Sequence, residues 1–265
     1  MKVVSIYSLK GGTGKSITAA NLAYILAVEH KQRVLLVDFD EQGNSSQYFA
    51  KFHPDKVSSA DVLARTCEIA AAITDTGYSG LHIVTANSNL YGADRLLFKS
   101  RDANRLKEQL DLVADQYDFC IIDNAPRLSM PAVNALTASE YVIVPMRSDN
   151  FSLEGIKELK KQISNAKNLN PKLKMLGCLV THYQNNDVNN QCIALLKERF
   201  KLPVLDTYIW FNTKISESTF YSKPLLEVSR RSGAAVQYKK LAAEVLEALE
   251  EQSDSDIKEG AKNGI

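Results

Sequence analysis

The sequence has few of the residues that build metal centres and disulfide frameworks. Its four cysteines are scattered over 265 residues without a C-x-x-C pair, and its four histidines are equally dispersed. Cys120 and Cys178 fall inside apolar runs, where a buried thiol packs as a small hydrophobe. These features argue against a disulfide scaffold or a structural zinc site, and they favour a protein of a reducing compartment.

An excess of charge and long hydrophobic runs are also missing. The 32 basic and 31 acidic residues leave a formal net charge of +1, so contact with nucleic acid has to come from a local patch. No apolar stretch is long enough to span a bilayer, and the one before the first glycines is too short for the core of a signal peptide. We therefore expect a cytoplasmic globular protein.

What the chain does have is a regular alternation of short apolar runs with helical patterns. The predicted strands are Val3–Ser8, Arg33–Val37, Leu81–Thr85, Phe119–Ile122, Tyr141–Pro145, Met175–Thr181 and, more weakly, Val204–Ile209. The predicted helices are Ile17–Glu29, Ser59–Ile73, Ala103–Ala114, Leu153–Ala166, Val188–Phe200 and Ala234–Leu249. This alternation predicts an α/β fold, a doubly wound and mostly parallel sheet flanked by helices. We predict one domain over residues 1–250 and a disordered polar tail over residues 251–265.

The stretch SLKGGTGKS, residues 8–16, has the composition of a phosphate-binding loop. It follows a predicted strand and opens a predicted helix, which is the context that such a loop needs. Its glycines would let backbone N–H groups turn toward phosphate oxygens at the positive end of the helix dipole. Lys15 would reach the β- and γ-phosphates, and Ser16 would offer its hydroxyl to Mg²⁺. The usual G-x-x-x-x-G-K-[ST] pattern is broken at Leu9, and an additional lysine, Lys10, stands at the loop entrance.

Carboxylates follow two other predicted strands. Asp38 and Asp40 lie in VLLVDFDEQGN, and Asp123 ends the apolar part of YDFCIID. Because ligands of open α/β sheets lie at the carboxyl ends of strands, we expect these groups to face the phosphate loop. Asp123 would hold Mg²⁺ through a water, Asp38 is a lesser metal candidate, and Asp40 would orient the attacking water. The alternatives are solvated strand-end carboxylates and a glycine-rich turn without a ligand.

The loop KGGTGKS resembles the deviant Walker A motif, KGGxGK[ST], of the ParA/MinD group of P-loop ATPases. The resemblance extends from Met1 to about Leu249, and it is strongest to the ParA branch. There VLLVDFDEQGN is similar to VLLVDxDPQGN, the segment from Asn134 to Pro145 is similar to NALxAAxxVIVP, and the SLEG of Ser152–Gly155 matches (S/A)LEG.

This resemblance implies an ATPase with ATP and Mg²⁺ as cofactors and with weak intrinsic activity that a partner stimulates. ATP is also favoured because the sequence has no Asn-Lys-x-Asp guanine signature. In the family the additional lysine is inserted into the partner's nucleotide site in a face-to-face dimer, which implies this role for Lys10. The residues predicted to be catalytic are then Lys10, Lys15 and Asp40. The predicted nucleotide-binding residues are Lys10, Gly11, Gly12, Thr13, Gly14, Lys15, Ser16 and Ile17.

The sequence departs from the family pattern at three places. Glu41 stands where proline is usual, and N-A-P-R at Asn124–Arg127 replaces the usual T-P-P-S. We expect the second departure to affect partner choice or the rate of hydrolysis. Near the expected base pocket, Ile209–Asn212 reads I-W-F-N in place of I-P-R-N, so no adenine contacts are assigned.

The ParA resemblance also implies that an ATP-bound dimer binds double-stranded DNA without sequence preference and works with a ParB-like centromere-binding or adaptor protein. Such a protein would drive segregation or positioning of plasmid or chromosome DNA and would be nucleoid-associated. Clustered cations would contact DNA phosphates, although charged helix faces are often merely solvated. The candidates are Arg230, Arg231, Lys239 and Lys240, and a second group of Lys157, Lys160 and Lys161.

Other functions on this fold are weighed against that prediction. A MinD-like membrane cycle needs a basic amphipathic C-terminal helix, and EQSDSDIKEGAKNGI is neither basic nor apolar enough. An electron carrier like the nitrogenase reductase needs a cysteine near each switch segment for a bridging cluster, and Asp123 is followed only by Asn-Ala-Pro. An ATP-dependent ligase or synthetase, or an ATPase that positions a protein assembly, stays open as an alternative.

Overall fold

The computed structural model describes residues 1–93, 100–148 and 153–262, and its centre is one twisted sheet in the order β3-β4-β2-β5-β1-β6-β7-β8. Neighbouring strands are parallel except β3, which pairs antiparallel with β4 at the edge. The strands are β1 Lys2–Ile6, β2 Val34–Phe39, β3 Ile73–Asp75, β4 Leu81–Val84, β5 Phe119–Asn124, β6 Tyr141–Arg147, β7 Lys174–Tyr183 and β8 Ile209–Trp210. The predicted fold class is confirmed.

Helices cover both faces of this sheet. They are α1 Lys15–Val28, α2 Asn44–Tyr48, α3 Ser59–Ala64, α4 Ile69–Ala72, α5 Arg105–Asp111, α6 Met130–Ala138, α7 Leu153–Leu169, α8 Asp187–Ala194, α9 Thr213–Phe220, α10 Leu225–Ser229 and α11 Gly233–Lys262. Short 3₁₀ segments span Ser88–Gly92 and Ser100–Asn104, and a π-helical turn at Leu195–Arg199 continues α8. No described helix combines the length and the apolar character needed to cross a membrane.

The core consists of two apolar layers, one on each face of the sheet. Along β1, Val4 packs on the side of α1 and α11, whereas Val3 packs on the side of α3 and α5. Because successive strand side chains point to opposite faces, a strand covered on both faces must be apolar at every position. This is why β2 and β5 are continuous apolar runs, and why Cys120 is fully buried as predicted.

The predicted strands and helices correspond to observed elements, and the differences are mainly in their ends. The run Val204–Ile209 was predicted as one strand, but Val204 forms only an isolated bridge with Cys178 before the short β8. The predicted helix Ser59–Ile73 is two helices, because Arg65 takes a left-handed conformation with φ of 62° that ends α3. Ile73 then begins β3, the antiparallel edge strand that the periodicity did not indicate.

The end of the chain also differs from the expectation. The structure has α11 continuing to Lys262, so residues 251–262 are helical where we predicted disorder. The segment extends a helix that Leu241, Val245 and Leu249 already anchor in the core, and adding a residue to a formed helix costs less than starting a new one. Residues 263–265 and Ser152 of the SLEG segment lie outside the described residues.

Candidate functional site

The loop after β1 is shaped by its glycines and held from two sides. Gly12 and Gly14 have positive φ values of 70° and 86°, a conformation that L side chains rarely adopt. A Cβ on Gly11 or Gly12 would meet nothing within 4 Å, so this surface is open to a ligand. From β7, the Thr181 hydroxyl donates to the Thr13 carbonyl at 2.9 Å and fixes the far side of the loop.

Lys15, the first residue of α1, is folded back over this loop. Its Nζ donates to the carbonyl of Lys10 at 2.9 Å, and the residue is only 6% exposed. Burial lowers the pKa of Lys15, while the nearby carboxylates of Asp123 and Asp40 act in the opposite direction. An ammonium that is already desolvated and lies along a glycine loop is placed to donate hydrogen bonds to phosphate oxygens.

The two acidic strand ends lie beside the loop because their strands are neighbours of β1 or of each other. Ile6 of β1 is in register with Asp123 of β5, and Asp123 is in register with Asp38 of β2. The predicted convergence of the three segments is therefore observed. Burial raises the pKa of Asp123 to about 6, although hydrogen bonds from Ser16 and Ser45 act to lower this pKa.

Asp123 has the donor atoms that a bound divalent cation would need. The Ser45 hydroxyl donates to its Oδ2 at 2.7 Å, whereas its buried Oδ1 has no hydrogen-bond partner among the described residues. Buried polar atoms are rarely left without a partner, and a bound cation or its water is a common explanation. Together with the adjacent Ser16 hydroxyl, this oxygen fits a Mg²⁺ site.

Asp38 is engaged differently, and the structure does not favour it as a metal ligand. Its Oδ2 accepts from the backbone N and hydroxyl of Ser46 at 2.8 and 2.7 Å, and its Oδ1 accepts from Asp40 N at 3.1 Å. Burial and the charge of Asp123 raise the pKa of Asp38 well above its usual range. The lesser metal candidate thus serves to hold the segment that follows β2.

A cavity of about 590 Å³ opens between the glycine loop and the acidic segment. It is lined by Gly11, Gly12, Gly14, Lys15, Ser16, Ile17, Asp40, Glu41, Gln42, Asn44, Gln47, Tyr48, Pro126, His182, Thr219 and Ser222. A volume of this size is typical of sites for small organic ligands. Asp40 lies at its wall, while Asp38 and Asp123 lie behind it, fully buried.

Several lining residues were not predicted. Gln42 and Asn44 belong to a motif that the sequence analysis quoted, so their nearness to Asp40 was a usable signal. His182, Thr219 and Ser222 come from β7 and from around the end of α9, far along the chain, and no local pattern marks them.

Two of the predicted nucleotide residues, Lys10 and Thr13, do not line this cavity. Lys10 instead borders a separate apolar cavity of about 300 Å³, together with Leu9, Met146, Ile156 and other residues of β6 and α7. Thr13 is buried, and its hydroxyl donates to the Lys10 carbonyl at 3.4 Å. Within one chain, Lys10 is therefore placed at the edge of the loop, away from the space that Lys15 faces.

The predicted DNA-contacting cations fall into two kinds. Arg230 and Lys239 are both paired with Glu29, at 2.7 and 3.0 Å, so one carboxylate offsets part of the charge of the C-terminal group. Lys160 donates to the Phe200 carbonyl at 2.9 Å. The remaining predicted cations are exposed: Arg231, Lys240, Lys157 and Lys161.

Comparison with known proteins agrees with this geometry. The sequence profile of the AAA-domain family matches residues 1–175. The chain is 35% identical over 249 residues to the sporulation initiation inhibitor protein Soj of Bacillus subtilis, covering 92% of this chain and 98% of Soj. It is 32% identical over 252 residues to the chromosome partitioning protein ParA of Caulobacter vibrioides, covering 93% and 94%.

Among solved structures, the cobyrinic acid a,c-diamide synthase of Mycobacterium smegmatis, bound to an ATP analogue and magnesium, superposes with a TM-score of 0.83. That protein is 29% identical, and the match covers 94% of this chain and 96% of the synthase. The resemblance inferred from the glycine loop is thus confirmed over nearly the whole chain. The chain belongs to the AAA-domain family and, within it, to the ParA/MinD group of P-loop proteins that includes ParA and Soj.

Proposed function

We propose that the protein is an ATP-dependent dimerising switch of the ParA type, which binds DNA as the ATP-bound dimer and hydrolyses ATP when a ParB-like partner stimulates it. The observation that carries this proposal is the shared cavity of Lys15, Ser16 and Asp40 with Asp123 directly behind it. In such a protein these groups supply the positioning and charge neutralisation on which phosphoryl transfer depends.

Each residue of the cavity has a distinct task in this proposal. The N–H groups of Gly11–Gly14 and the Lys15 ammonium bind the phosphates. Ser16 would ligate Mg²⁺ and Asp123 would hold it through a water, and when bound the ion would offset the negative charge of the phosphates. Asp40, at the cavity wall, orients the water that attacks the γ-phosphate. The predicted ATP and Mg²⁺ are those found with the related synthase, as an analogue and the ion.

Lys10 supplies the link between subunits. Its place at the edge of the loop, outside its own nucleotide cavity, leaves it suited to neutralise phosphate charge across an interface. Two chains would then associate only when each holds a triphosphate. Because exposed cations such as Lys157, Lys161, Arg231 and Lys240 act together in a dimer, DNA affinity would rise with dimerisation. The protein would be cytoplasmic and associated with the nucleoid.

One experiment separates this function from its alternatives. Light scattering after size exclusion would compare the protein with ADP and with a non-hydrolysable ATP analogue, and fluorescence anisotropy would follow random duplex DNA under the same two conditions. We expect a dimer and DNA binding only with the analogue. Binding to anionic liposomes in place of DNA would support a MinD-like cycle, and a monomer that binds neither would favour a ligase or synthetase.

A further inference from the structure

Two charged side chains from different loops meet at the wall of the nucleotide cavity. Arg127 Nη1 lies 3.1 Å from Glu41 Oε1, and Arg127 Nη2 lies 3.2 Å from Glu41 Oε2. This two-point contact is the strong, directional form of an arginine–carboxylate pair. The Glu41 side chain is 9% exposed and the Arg127 side chain is 36% exposed, so the pair is half-buried and is screened by water less than a fully exposed pair.

A third segment completes the contact. The Arg127 guanidinium lies 5.5 Å from the centre of the Tyr91 ring, within range of a cation–π interaction. Gln42, the neighbour of Glu41, donates from Nε2 to the Tyr91 hydroxyl at 2.6 Å. Glu41 and Gln42 are therefore both tied to groups outside their own loop. We call these four residues, Glu41, Gln42, Tyr91 and Arg127, the latch.

The latch is directly connected to Asp40. Gln42 N donates to Asp40 Oδ1 at 3.0 Å, and Gly43 N donates to the Asp40 carbonyl at 2.8 Å. The turn that carries Asp40 thus moves as one unit with the residues that the latch holds. Glu41 and Gln42 also line the cavity, as does Pro126, the neighbour of Arg127. A change in the contacts of the latch would therefore alter the position of Asp40 through one short turn.

The electrostatics make this pair a strong constraint. Arg127 Nε is buried without a hydrogen-bond partner among the described residues, and Glu41 is the carboxylate that offsets the charge of the guanidinium. Loss of Arg127 would leave the mostly buried Glu41 carboxylate without its ion-pair partner, which costs more than loss of an exposed pair.

The two residues of the pair are also both departures from the family pattern, in which these positions are proline and serine. Neither proline nor serine could form an ion pair, so both departures are needed for the contact between Glu41 and Arg127.

We propose that the Glu41–Arg127 pair positions Asp40 for hydrolysis and so sets the turnover rate of this protein. The inference rests on the proposed function, because it assigns the latch a part in the step that Asp40 performs. Glu41 and Arg127 are positioning residues that act through the turn at Asp40. The loops after β2 and β5 would then keep one relative position while the attacking water is oriented.

Steady-state ATPase assays with Glu41→Gln, Arg127→Gln and the double variant test this role. We expect kcat to fall by about tenfold or more in each single variant, since misplacing a catalytic group by a fraction of an ångström is enough. KM should change less than about twofold, because the phosphate loop is untouched. The double variant should lose no more than either single variant, and the charge exchange Glu41→Arg with Arg127→Glu should regain much of the rate.

A matched control and a milder variant keep the test independent of folding. Arg65→Gln removes an exposed pair with Glu108, whose atoms lie 2.7 Å apart and outside the cavity lining, and it should leave kcat unchanged. Tyr91→Phe removes only the acceptor of Gln42 on a ring that is 53% exposed, so it should fold normally. We expect it to lower kcat by about two- to threefold at constant KM.

Unchanged or increased kcat in the two single variants would overturn the latch, and so would losses that simply add in the double variant. Normal turnover in Tyr91→Phe, if the charge variants do not fold, would overturn it as well. A wild-type protein that neither binds nor hydrolyses ATP would contradict the proposed function and the latch with it. If the wild type is active and the variants have the same kcat, the role of the latch is contradicted and the proposed function is not.

Discussion

The glycine loop and the acidic segments form opposite walls of one cavity, but they are held in place by different kinds of contact. In the glycine loop, Lys15 bonds to a carbonyl five residues earlier, and backbone φ angles set the shape. In the acidic segments, Ser45 bonds to Asp123 across 78 residues and Glu41 pairs with Arg127 across 86. The glycine wall is shaped mainly by local sequence, although the distant Thr181 holds its far side, and the acidic wall is assembled from distant parts of the chain.

This difference suggests a division of labour. A wall with mainly local constraints suits the binding of phosphates, which is common to every nucleotide state. A wall made of separate segments can change its internal contacts, which suits the step that differs between ATP and ADP. Substitutions in the glycine loop should therefore affect binding or dimerisation, and substitutions in the acidic segments should affect turnover.

The largest effect is expected for Lys15→Ala. Its ammonium is the buried cation of the phosphate site, so ATP affinity should fall beyond detection in isothermal titration calorimetry. Lys107→Ala, an exposed lysine on α5 that does not line the cavity, is the matched control and should bind normally. If Lys15→Ala keeps its affinity for ATP, the glycine loop is not the part of the cavity that binds the nucleotide.

Lys10→Ala should separate dimerisation from binding. Because Lys10 does not line its own cavity, a monomer of the variant should bind ATP within about threefold of wild type. The dimer formed with the non-hydrolysable analogue should disappear in light scattering. A dimer that persists would refute the bridging role of this lysine.

Asp40→Ala probes the opposite wall. Turnover should fall by about a hundredfold or more while ATP affinity stays near wild type, since Asp40 acts on water and not on the phosphates. The variant should remain a dimer with unhydrolysed ATP, which can be measured by chromatography of the bound nucleotide. Unchanged turnover would remove Asp40 from the mechanism.

The smallest effect concerns the pH dependence of stability without nucleotide. The folded pKa of Asp123, about 6, lies above the unfolded value of about 3.9, so the folded state binds the proton more tightly. Stability should therefore decrease as pH rises between about 4 and 6. Asp123→Asn should melt higher than wild type at pH 7 and should show a weaker dependence on pH; thermal unfolding at pH 5 and 7 measures both.

Much of the fold could be predicted because the spacing of apolar residues in the local sequence indicates strands and helices. A strand buried on both faces has to be apolar at every position, and a helix that faces a sheet repeats its apolar residues every three or four positions. The runs Val34–Val37 and Phe119–Ile122 carry that signal without interruption. The edge strand Ile73–Asp75 has three residues, none of them fully buried, and so offers no such pattern.

The candidate site divides in the same way. The sequence by itself determined the glycine loop and the roles expected of its residues, because a turn with positive φ angles and a helix start are properties of neighbouring residues. Only the tertiary structure decided that Asp38 accepts hydrogen bonds from its own loop and that Glu41 forms an ion pair with Arg127. It also decided that Glu29 forms ion pairs with Arg230 and Lys239. Those contacts join residues that are distant in the chain, and their partners are selected by strand order and burial, which no local pattern encodes.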